Sequence, residues 1–216
     1  MVKLHDIQGE YDLIVSLGCS CEPAGHLQRK GLRTFSAPLD WVVSLSLTQV
    51  NHLLENRFKD YMLIENMSIT EGSAYYVKDE IVQEAKSYFI KDAMYDILSV
   101  HDFPVIPDHF WMEHYPDFKA KLDTRVERVL QRMAASKKAL FVRWCGSDEE
   151  VVELQRVLRL LTPAAFNILL VNGVHGQGTT IDLDIPQDGI CSLTIPYRDG
   201  DEQTWDLLLE GVSLLT

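Results

Sequence analysis

The chain has 216 residues, of which 46% are hydrophobic, and this is enough apolar material for one domain with a sizeable core. Its formal net charge is -12 and its isoelectric point is near 4.9, so its surface repels phosphate backbones and anionic lipid. This charge argues against nucleic acid and membrane surfaces as partners. No apolar run approaches the roughly 18 residues of a membrane span, and the first residues lack the apolar region of a signal peptide, so we expect a cytoplasmic protein.

The periodicity of apolar residues predicts strands and helices along most of the chain. The first strand, residues 11–17, has consecutive rather than alternating apolar residues, which is typical of a strand covered on both faces. Ser20 and Ser46 are candidate helix caps. The predicted strands cover residues 11–17, 75–77, 95–100, 139–144, 166–171, 182–185 and 190–195. The predicted helices cover residues 22–30, 46–58, 80–86, 117–136, 148–161 and 202–215.

Strands alternate with helices from residue 139 onwards, and this order predicts an α/β fold with a mostly parallel sheet and right-handed crossovers. We expect a three-layer sandwich of Rossmann-like topology. One domain would span residues 1–216, with a less regular insertion at about 61–116.

Polar groups follow four of the predicted strands, at residues 18–21, 101–102, 143–145 and 172–175. Loops that leave the carboxyl ends of parallel strands share one edge of the sheet. We therefore expect these four groups to lie close together and to form the functional site.

Cys21 is the first candidate for chemistry because it stands at the start of a predicted helix. Unpaired amides and the helix dipole favour an anion there, so its thiol can be depressed toward thiolate. Cys19 is the competing nucleophile, and the alternative is a small residue packed in a tight turn. Since disulfides are not expected in a cytoplasm, we interpret Cys19, Cys21, Cys145 and Cys191 as thiols, with Cys191 in the core.

His101 is the candidate general acid and base, since it ends an apolar strand and Asp102 follows it. Neighbouring residues of a strand point to opposite faces, so Asp102 can orient His101 only if the strand has ended there. Asp40 is the alternative orienting acid. In the alternative without catalysis, His101 bonds to backbone at a strand end.

Arg143 is a charged residue in an otherwise apolar strand, so it needs a partner or a site. It would bind a substrate carboxylate, or pair with Asp40 or Asp102 as a structural bridge. His175 lies in the loop NGVHGQG, whose glycines would let Asn172 and His175 approach a ligand closely.

Motifs for cofactors and metals are missing from the sequence. There is no GxxxxGK[ST] and no GxGxxG after the first strand, so nucleotide binding is not expected. The pair Cys19 and Cys21 has no second pair at a fixed spacing, and there is no HExxH, so we expect no metal either.

Five short motifs stand in a fixed order along the chain: SLGCSC at residues 16–21, a Leu32-Arg33 pair, SAPLDW at 36–41, HDF at 101–103 and FVR at 141–143. Together they resemble a bacterial family of unknown function whose members are named papain-like cysteine peptidases. The family pattern is similar to SLGxxC, a leucine-arginine pair, SxPFDW, HDF and a strand that ends in FVR. Leu39 stands where the pattern has phenylalanine. The resemblance covers most of residues 11–145.

The resemblance implies Cys21, rather than Cys19, as the nucleophile and His101 as its base. It implies a papain-like α+β fold as the alternative architecture, whereas the pattern of strands and helices is more similar to a flavodoxin-type or SGNH-hydrolase-type sheet. We therefore expect a cysteine-dependent hydrolase or acyl-transfer enzyme that acts on a small-molecule or peptide substrate and uses no cofactor.

Two other functions stay open. In an SGNH-like esterase, Ser16 or Ser20 would be the nucleophile, and in a protein without catalysis the polar set would only bind a small molecule. The candidate substrate-binding residues are Ser16, Gly18, Ser20, Arg33, Ser36, Trp41, Arg143, Asn172 and His175.

Overall fold

The computed structural model describes residues 2–197 and 201–215. The strands are β1 (Gly9–Tyr11), β2 (Leu13–Ser16), β3 (Val42–Val43), β4 (Met67–Lys78), β5 (Ile81–Asp92), β6 (Ile97–Pro104), β7 (Lys138–Trp144), β8 (Ala165–Val174), β9 (Ile181–Leu183), β10 (Ile190–Pro196) and β11 (Val212–Leu214). The α-helices are α1 (Glu22–Arg29), α2 (Leu47–Glu55), α3 (Tyr115–Ala135), α4 (Asp148–Leu161) and α5 (Glu202–Leu208). Short 3-10 helices cover Leu4–Ile7, Ile64–Asn66 and Trp111–His114.

The central sheet has the strand order β2-β7-β8-β10-β9. Strands β2, β7, β8 and β10 run parallel to one another, and β9 is an antiparallel edge strand. The prediction of an α/β fold with a mostly parallel sheet is thereby confirmed. The carboxyl ends of β2, β7 and β8 lie side by side at one edge of this sheet.

Successive residues of the central strands enter two different hydrophobic clusters. Leu13 and Val15 of β2 belong to a cluster with residues of α2, α3 and α4, whereas Ile14 belongs to a cluster with residues of α1 and α5. All four residues of β2 are buried. The consecutive apolar residues of this strand therefore reflect burial on both of its faces.

A second sheet, with the order β3-β6-β5-β4, is antiparallel throughout and occupies most of the segment predicted as a less regular insertion. The predicted short helix over residues 80–86 is wrong. Asp79 and Glu80 both have positive φ, 50° and 66°, and they form a two-residue turn between β4 and β5. This backbone geometry matches the twist of a hairpin, so the chain continues as a strand from Ile81.

The two ends of the described chain meet in a small sheet in which β1 and β11 pair in parallel. The predicted helix over 202–215 is wrong in its second half, because α5 ends at Leu208 and β11 follows. Gly211, with φ of 71°, lies in the turn between them. Among the helices of the described residues, none combines the length and the apolar character needed to cross a membrane.

Candidate active site

The segment between β2 and α1 is a tight turn that carries two cysteines. Gly18 and Cys19 both have positive φ, 77° and 89°. A Cβ atom on Gly18 would lie 2.7 Å from the carbonyl oxygen of Leu39, so glycine is required there for space as well as for conformation. The turn leads directly into α1, and Cys21 is the residue that precedes the helix. Cys21 is therefore exposed at the amino end of α1, close to the carboxyl edge of the central sheet.

The Cys21 thiol is less acidic than its place at a helix amino end predicts. Although the residue is exposed, nearby protein atoms desolvate the thiol and raise its pKa, and this outweighs the opposite effect of its own backbone N–H. The charge of Glu22 raises the pKa further. The prediction of a depressed pKa is therefore wrong, and Cys21 rests as a protonated thiol at neutral pH. Chemistry at this sulfur needs a base.

Cys19 is joined to Cys145 by a disulfide bond, with the two Cα atoms 6.3 Å apart. The prediction that all four cysteines are thiols is wrong for this pair, because they follow the neighbouring strands β2 and β7. Cys191 is the buried free thiol that the sequence predicts, and burial raises its pKa to about 12. Cys21 is thus the exposed free cysteine in the part of the chain that the structure describes.

Arg143 contacts backbone and serine groups of the fold, and it forms neither of the predicted pairs with Asp40 or Asp102. Its side chain is fully buried, and its Nη1 donates to the carbonyl oxygen of Leu17 at 2.8 Å and to Oγ of Ser44 at 3.0 Å. Its Nη2 donates to the carbonyl oxygen of Ser44, and its Nε donates to that of Cys145 at 3.0 Å. Burial lowers the pKa of this guanidinium to about 9. Arg143 holds together the turns that follow β2, β3 and β7.

Asn172 lies near the carboxyl end of β8, and His175 follows this strand at the same edge of the sheet. The Asn172 side chain accepts a hydrogen bond from the backbone N–H of Gly146 and donates one to its carbonyl oxygen, both at 3.0 Å. His175 is exposed and packs edge-on against Tyr197, with ring centroids 4.5 Å apart. Asn172 therefore fixes the turn after Cys145, while His175 faces solvent.

The residues of the LR and SAPLDW motifs form one buried polar network. Arg33 Nη1 lies 2.7 Å from Oδ2 of Asp40, and the same oxygen accepts from the backbone N–H of Ala37 at 2.8 Å. Ser36 Oγ accepts from Trp41 Nε1 at 3.1 Å, and the Arg33 guanidinium lies 5.4 Å from the centre of the Trp41 ring. Burial raises the pKa of Asp40 to about 6 despite its N–H partners. These contacts position Trp41.

His101 lies within β6 of the second sheet, and not at the carboxyl edge of the central sheet where it was predicted. The prediction was wrong because β6 pairs with β3 and β5 and has no partner in the central sheet. His101 Nδ1 donates to the carbonyl oxygen of Tyr75 at 2.7 Å, and its ring meets the ring of Trp41 edge-on at 6.3 Å. Since a carbonyl only accepts, Nδ1 carries the proton, and Nε2 of the neutral ring is an acceptor.

The two acids predicted to orient His101 have other partners. Asp102 Oδ2 accepts from Oγ of Ser99 at 2.6 Å, and Asp40 pairs with Arg33. The carbonyl oxygen of Tyr75 performs the orienting function that was predicted for a carboxylate. Sequence patterns gave no signal for Tyr75, because a backbone carbonyl carries no residue-specific chemistry.

A cavity of about 490 Å³ lies between the second sheet and α3. His101, Asp102 and Trp41 line this cavity, and Cys21 does not. The cysteine turn is nevertheless tied to Trp41 through a short segment, because the Ser44 backbone N–H donates to the Cys19 carbonyl oxygen at 3.0 Å, and Ser44 Oγ accepts from the Cys19 N–H at 3.1 Å. Residues 41–44 thus touch the cysteine turn at one end and the histidine at the other.

The two candidate serine nucleophiles serve the turn. Ser16 is buried, and its Oγ accepts from the backbone N–H of Gly18 at 3.1 Å. Ser20 Oγ accepts from the backbone N–H of Glu22 at 3.3 Å. Both hydroxyls therefore stabilise the conformation that presents Cys21. In the described residues, no group of three or more His, Cys, Asp or Glu side chains is arranged to hold a metal ion.

Comparison with known proteins found a family that matches most of the chain. A family model described as "Putative papain-like cysteine peptidase" matches residues 12–178. An uncharacterized protein of Acanthamoeba polyphaga mimivirus is 29% identical over 135 residues, which are 61% of this chain. The chain spans about 60% of the length of that curated relative. No solved structure matches the chain. Because this relative is viral, the bacterial origin suggested by the motifs stays a prediction.

Proposed function

The chain belongs to the family described as "Putative papain-like cysteine peptidase", and we propose that it is a cysteine-dependent hydrolase with Cys21 as nucleophile and His101 as general base. The observation that carries this proposal is the exposed free thiol at the amino end of α1, in a chain whose other described cysteines are bonded or buried. The family match supports hydrolase chemistry, and the roles of individual residues are our inference.

The proposed reaction starts at the Cys21 sulfur. Its thiol proton passes to Nε2 of His101 as the sulfur attacks a substrate carbonyl carbon, and a tetrahedral oxyanion forms. Backbone N–H groups at the start of α1 would stabilise this oxyanion, although Pro23 contributes no N–H. Histidine then returns the proton to the leaving group, and water hydrolyses the thioester, which restores the thiol.

The hydrogen bond from His101 to the Tyr75 carbonyl oxygen supports the choice of base. It selects the tautomer that can accept a proton at Nε2, and a raised thiol pKa makes such an acceptor necessary. Cys21 lies outside the cavity that His101 lines, so the proposal requires the two side chains to approach each other from their places in this structure. Catalytic contacts that are long in the free enzyme and tighten in the complex are common.

Two finer features belong to the same proposal. The two hydrophobic clusters on either face of the central sheet support a three-layer sandwich more than a papain-like α+β arrangement. We also infer a small-molecule or peptide substrate and a cytoplasmic location. The disulfide between Cys19 and Cys145 is more typical of oxidising compartments than of a cytoplasm.

Labelling with two probes tests the nucleophile. The protein is treated with an iodoacetamide probe and, in a separate sample, with a fluorophosphonate probe, and the modified peptides are mapped by mass spectrometry. We expect the first probe to modify Cys21, the Cys21→Ala variant to lose this label, and Cys191→Ala to keep it. A fluorophosphonate label on Ser16 or Ser20, with Cys21 unmodified, would favour the serine esterase instead. An absence of labelling by either probe would favour a protein that only binds a ligand.

A further inference from the structure

The cavity beside His101 is lined by charged groups, four of which contact another residue. Three cationic and four acidic residues line it. Glu80 Oε1 forms an ion pair with Nη2 of Arg33 at 2.8 Å, and Lys121 Nζ lies 3.4 Å from Oδ1 of Asp79. Asp102 accepts its hydrogen bond from a serine. The other three charged lining residues, Lys78, Asp117 and Arg125, make no hydrogen bond or ion pair with a residue that the structure describes, and Lys78 and Asp117 are exposed.

Arg125 is the lining cation that is partly withdrawn from water. It projects from α3, is half-buried and lines the cavity, and it makes no hydrogen bond or ion pair with any residue that the structure describes. Its positive charge acts on the buried carboxyl group of Asp40 only from a distance. A guanidinium has five N–H donors, and burying them without acceptors is costly. The fold therefore leaves this side chain available to a ligand with acceptor atoms.

The other residues that line the cavity would surround the rest of such a ligand. Trp41 and Phe118 supply apolar surface, and His101 supplies Nε2, which makes no hydrogen bond with any residue that the structure describes. His114 also lines the cavity, and its Nε2 is buried with no hydrogen-bond partner among the described residues. One guanidinium, two imidazoles and an aromatic wall suit a compact molecule with one polar end and one apolar end.

Size and charge restrict the ligand further. A cavity of about 490 Å³ is in the usual range for small-molecule sites. Counted over its Asp, Glu, Lys and Arg residues, the lining has a formal charge of minus one, since four acids oppose three cations. Such a lining disfavours a doubly charged phosphate more than a singly charged carboxylate. Arginine binds a carboxylate through two parallel N–H bonds.

We propose that this cavity binds the part of the substrate that carries a carboxylate next to an aromatic or apolar group, and that Arg125 is the residue that binds the carboxylate. The proposal rests on the hydrolase function proposed above and names its substrate class. Arg125 selects the substrate and takes no part in bond breaking. His101, in the same cavity, is then next to the bound molecule.

Binding of matched probes tests this proposal without any catalytic step. Hippurate carries a carboxylate and a phenyl group, hippuramide has a neutral amide in place of the carboxylate, and phenyl phosphate carries a dianionic phosphate directly on a phenyl group. Affinities are measured by calorimetry on the full chain and on the variants Cys21→Ala, Arg125→Gln, Arg125→Lys and Lys78→Gln. Thermal melting confirms that each variant is folded.

We expect the wild type and Cys21→Ala to bind hippurate at least about tenfold more tightly than hippuramide, because a charged hydrogen-bonded pair is lost with the amide. Arg125→Gln should remove this preference, Arg125→Lys should keep part of it, and Lys78→Gln should keep all of it. The proposal is overturned if hippurate and hippuramide bind with equal affinity, or if the preference for hippurate survives in Arg125→Gln. It is also overturned if phenyl phosphate binds more tightly than hippurate, or if hippurate does not bind at about 10 mM. Since the probes do not require the thiol, a failure here is separate from a failure of Cys21 to react.

Discussion

The disulfide between Cys19 and Cys145 gives the most quantitative prediction for stability. It links the ends of β2 and β7 across a sequence separation of 126 residues. A cross-link that closes a loop of this length restricts the unfolded chain by about 5 kcal/mol in the chain-entropy model, and measured losses are about 2–5 kcal/mol. We expect Cys145→Ser to lower the free energy of unfolding by about 2–5 kcal/mol. Cys19→Ser should have a similar effect, and the double variant should resemble either single one, because one substitution already removes the bond.

Urea unfolding, followed by tryptophan fluorescence with and without dithiothreitol, measures this contribution. Reductant should shift the midpoint of the wild type and of Cys191→Ala, since Cys191 is a buried free thiol outside the bond. It should leave the midpoint of Cys145→Ser unchanged. The reasoning fails if Cys145→Ser is as stable as the wild type, or if four free thiols are titrated in the unfolded protein before reduction.

Three further substitutions test other parts of the structure, each by urea unfolding. Arg143→Met should lower the free energy of unfolding by about 3–5 kcal/mol, because it leaves buried carbonyl oxygens without donors. Arg159→Ala, at an exposed arginine, should lower it little, and equal losses for the two variants would refute the role assigned to Arg143. The pKa of Asp40 is raised to about 6 in the folded protein, so its contribution to stability is complete below the ordinary pKa and is lost as pH rises through about 6. Relative to Asp40→Asn, the wild type should lose about 2–3 kcal/mol between about pH 4 and pH 7, and a pH-independent difference would contradict this. Gly18→Ala should lower the free energy of unfolding by more than about 2 kcal/mol, because φ is 77° and a carbonyl oxygen lies 2.7 Å from the added Cβ. Gly25→Ala, within α1 and with open space around it, should raise it by up to about 1 kcal/mol. Similar effects of the two substitutions would argue against this geometry.

The central sheet could be predicted because its strands are marked by consecutive apolar residues, as in Leu13-Ile14-Val15. The loops that follow β2, β7 and β8 were correctly expected at one edge, since parallel neighbours bring their carboxyl ends together. The same argument failed for His101. Apolar periodicity indicates that a strand exists, but it does not indicate which sheet the strand joins, and β6 joins the antiparallel one.

The sequence predicted which residue types need a partner at the site, but it did not predict which groups those residues contact. The sequence shows that Arg143 and Asp40 need partners, but the partners of Arg143 are mostly backbone carbonyl oxygens, which no motif marks. The place of Cys21 before a helix was visible, whereas the desolvation that raises its pKa depends on residues distant in sequence. Arg125 was not singled out, because one arginine in a long amphipathic helix looks like any other surface cation.

The rate at which iodoacetamide alkylates Cys21 tests most directly whether His101 acts as its base. The measurement uses a Cys191→Ala background, at about pH 7.5 and at about pH 10.5, where hydroxide can remove the thiol proton without help. We predict that His101→Gln slows the reaction at least about tenfold at the lower pH and little at the higher pH, and that the exposed His175→Gln changes neither rate. Equal rates for the wild type and His101→Gln at both pH values would contradict the proposed pair of nucleophile and base.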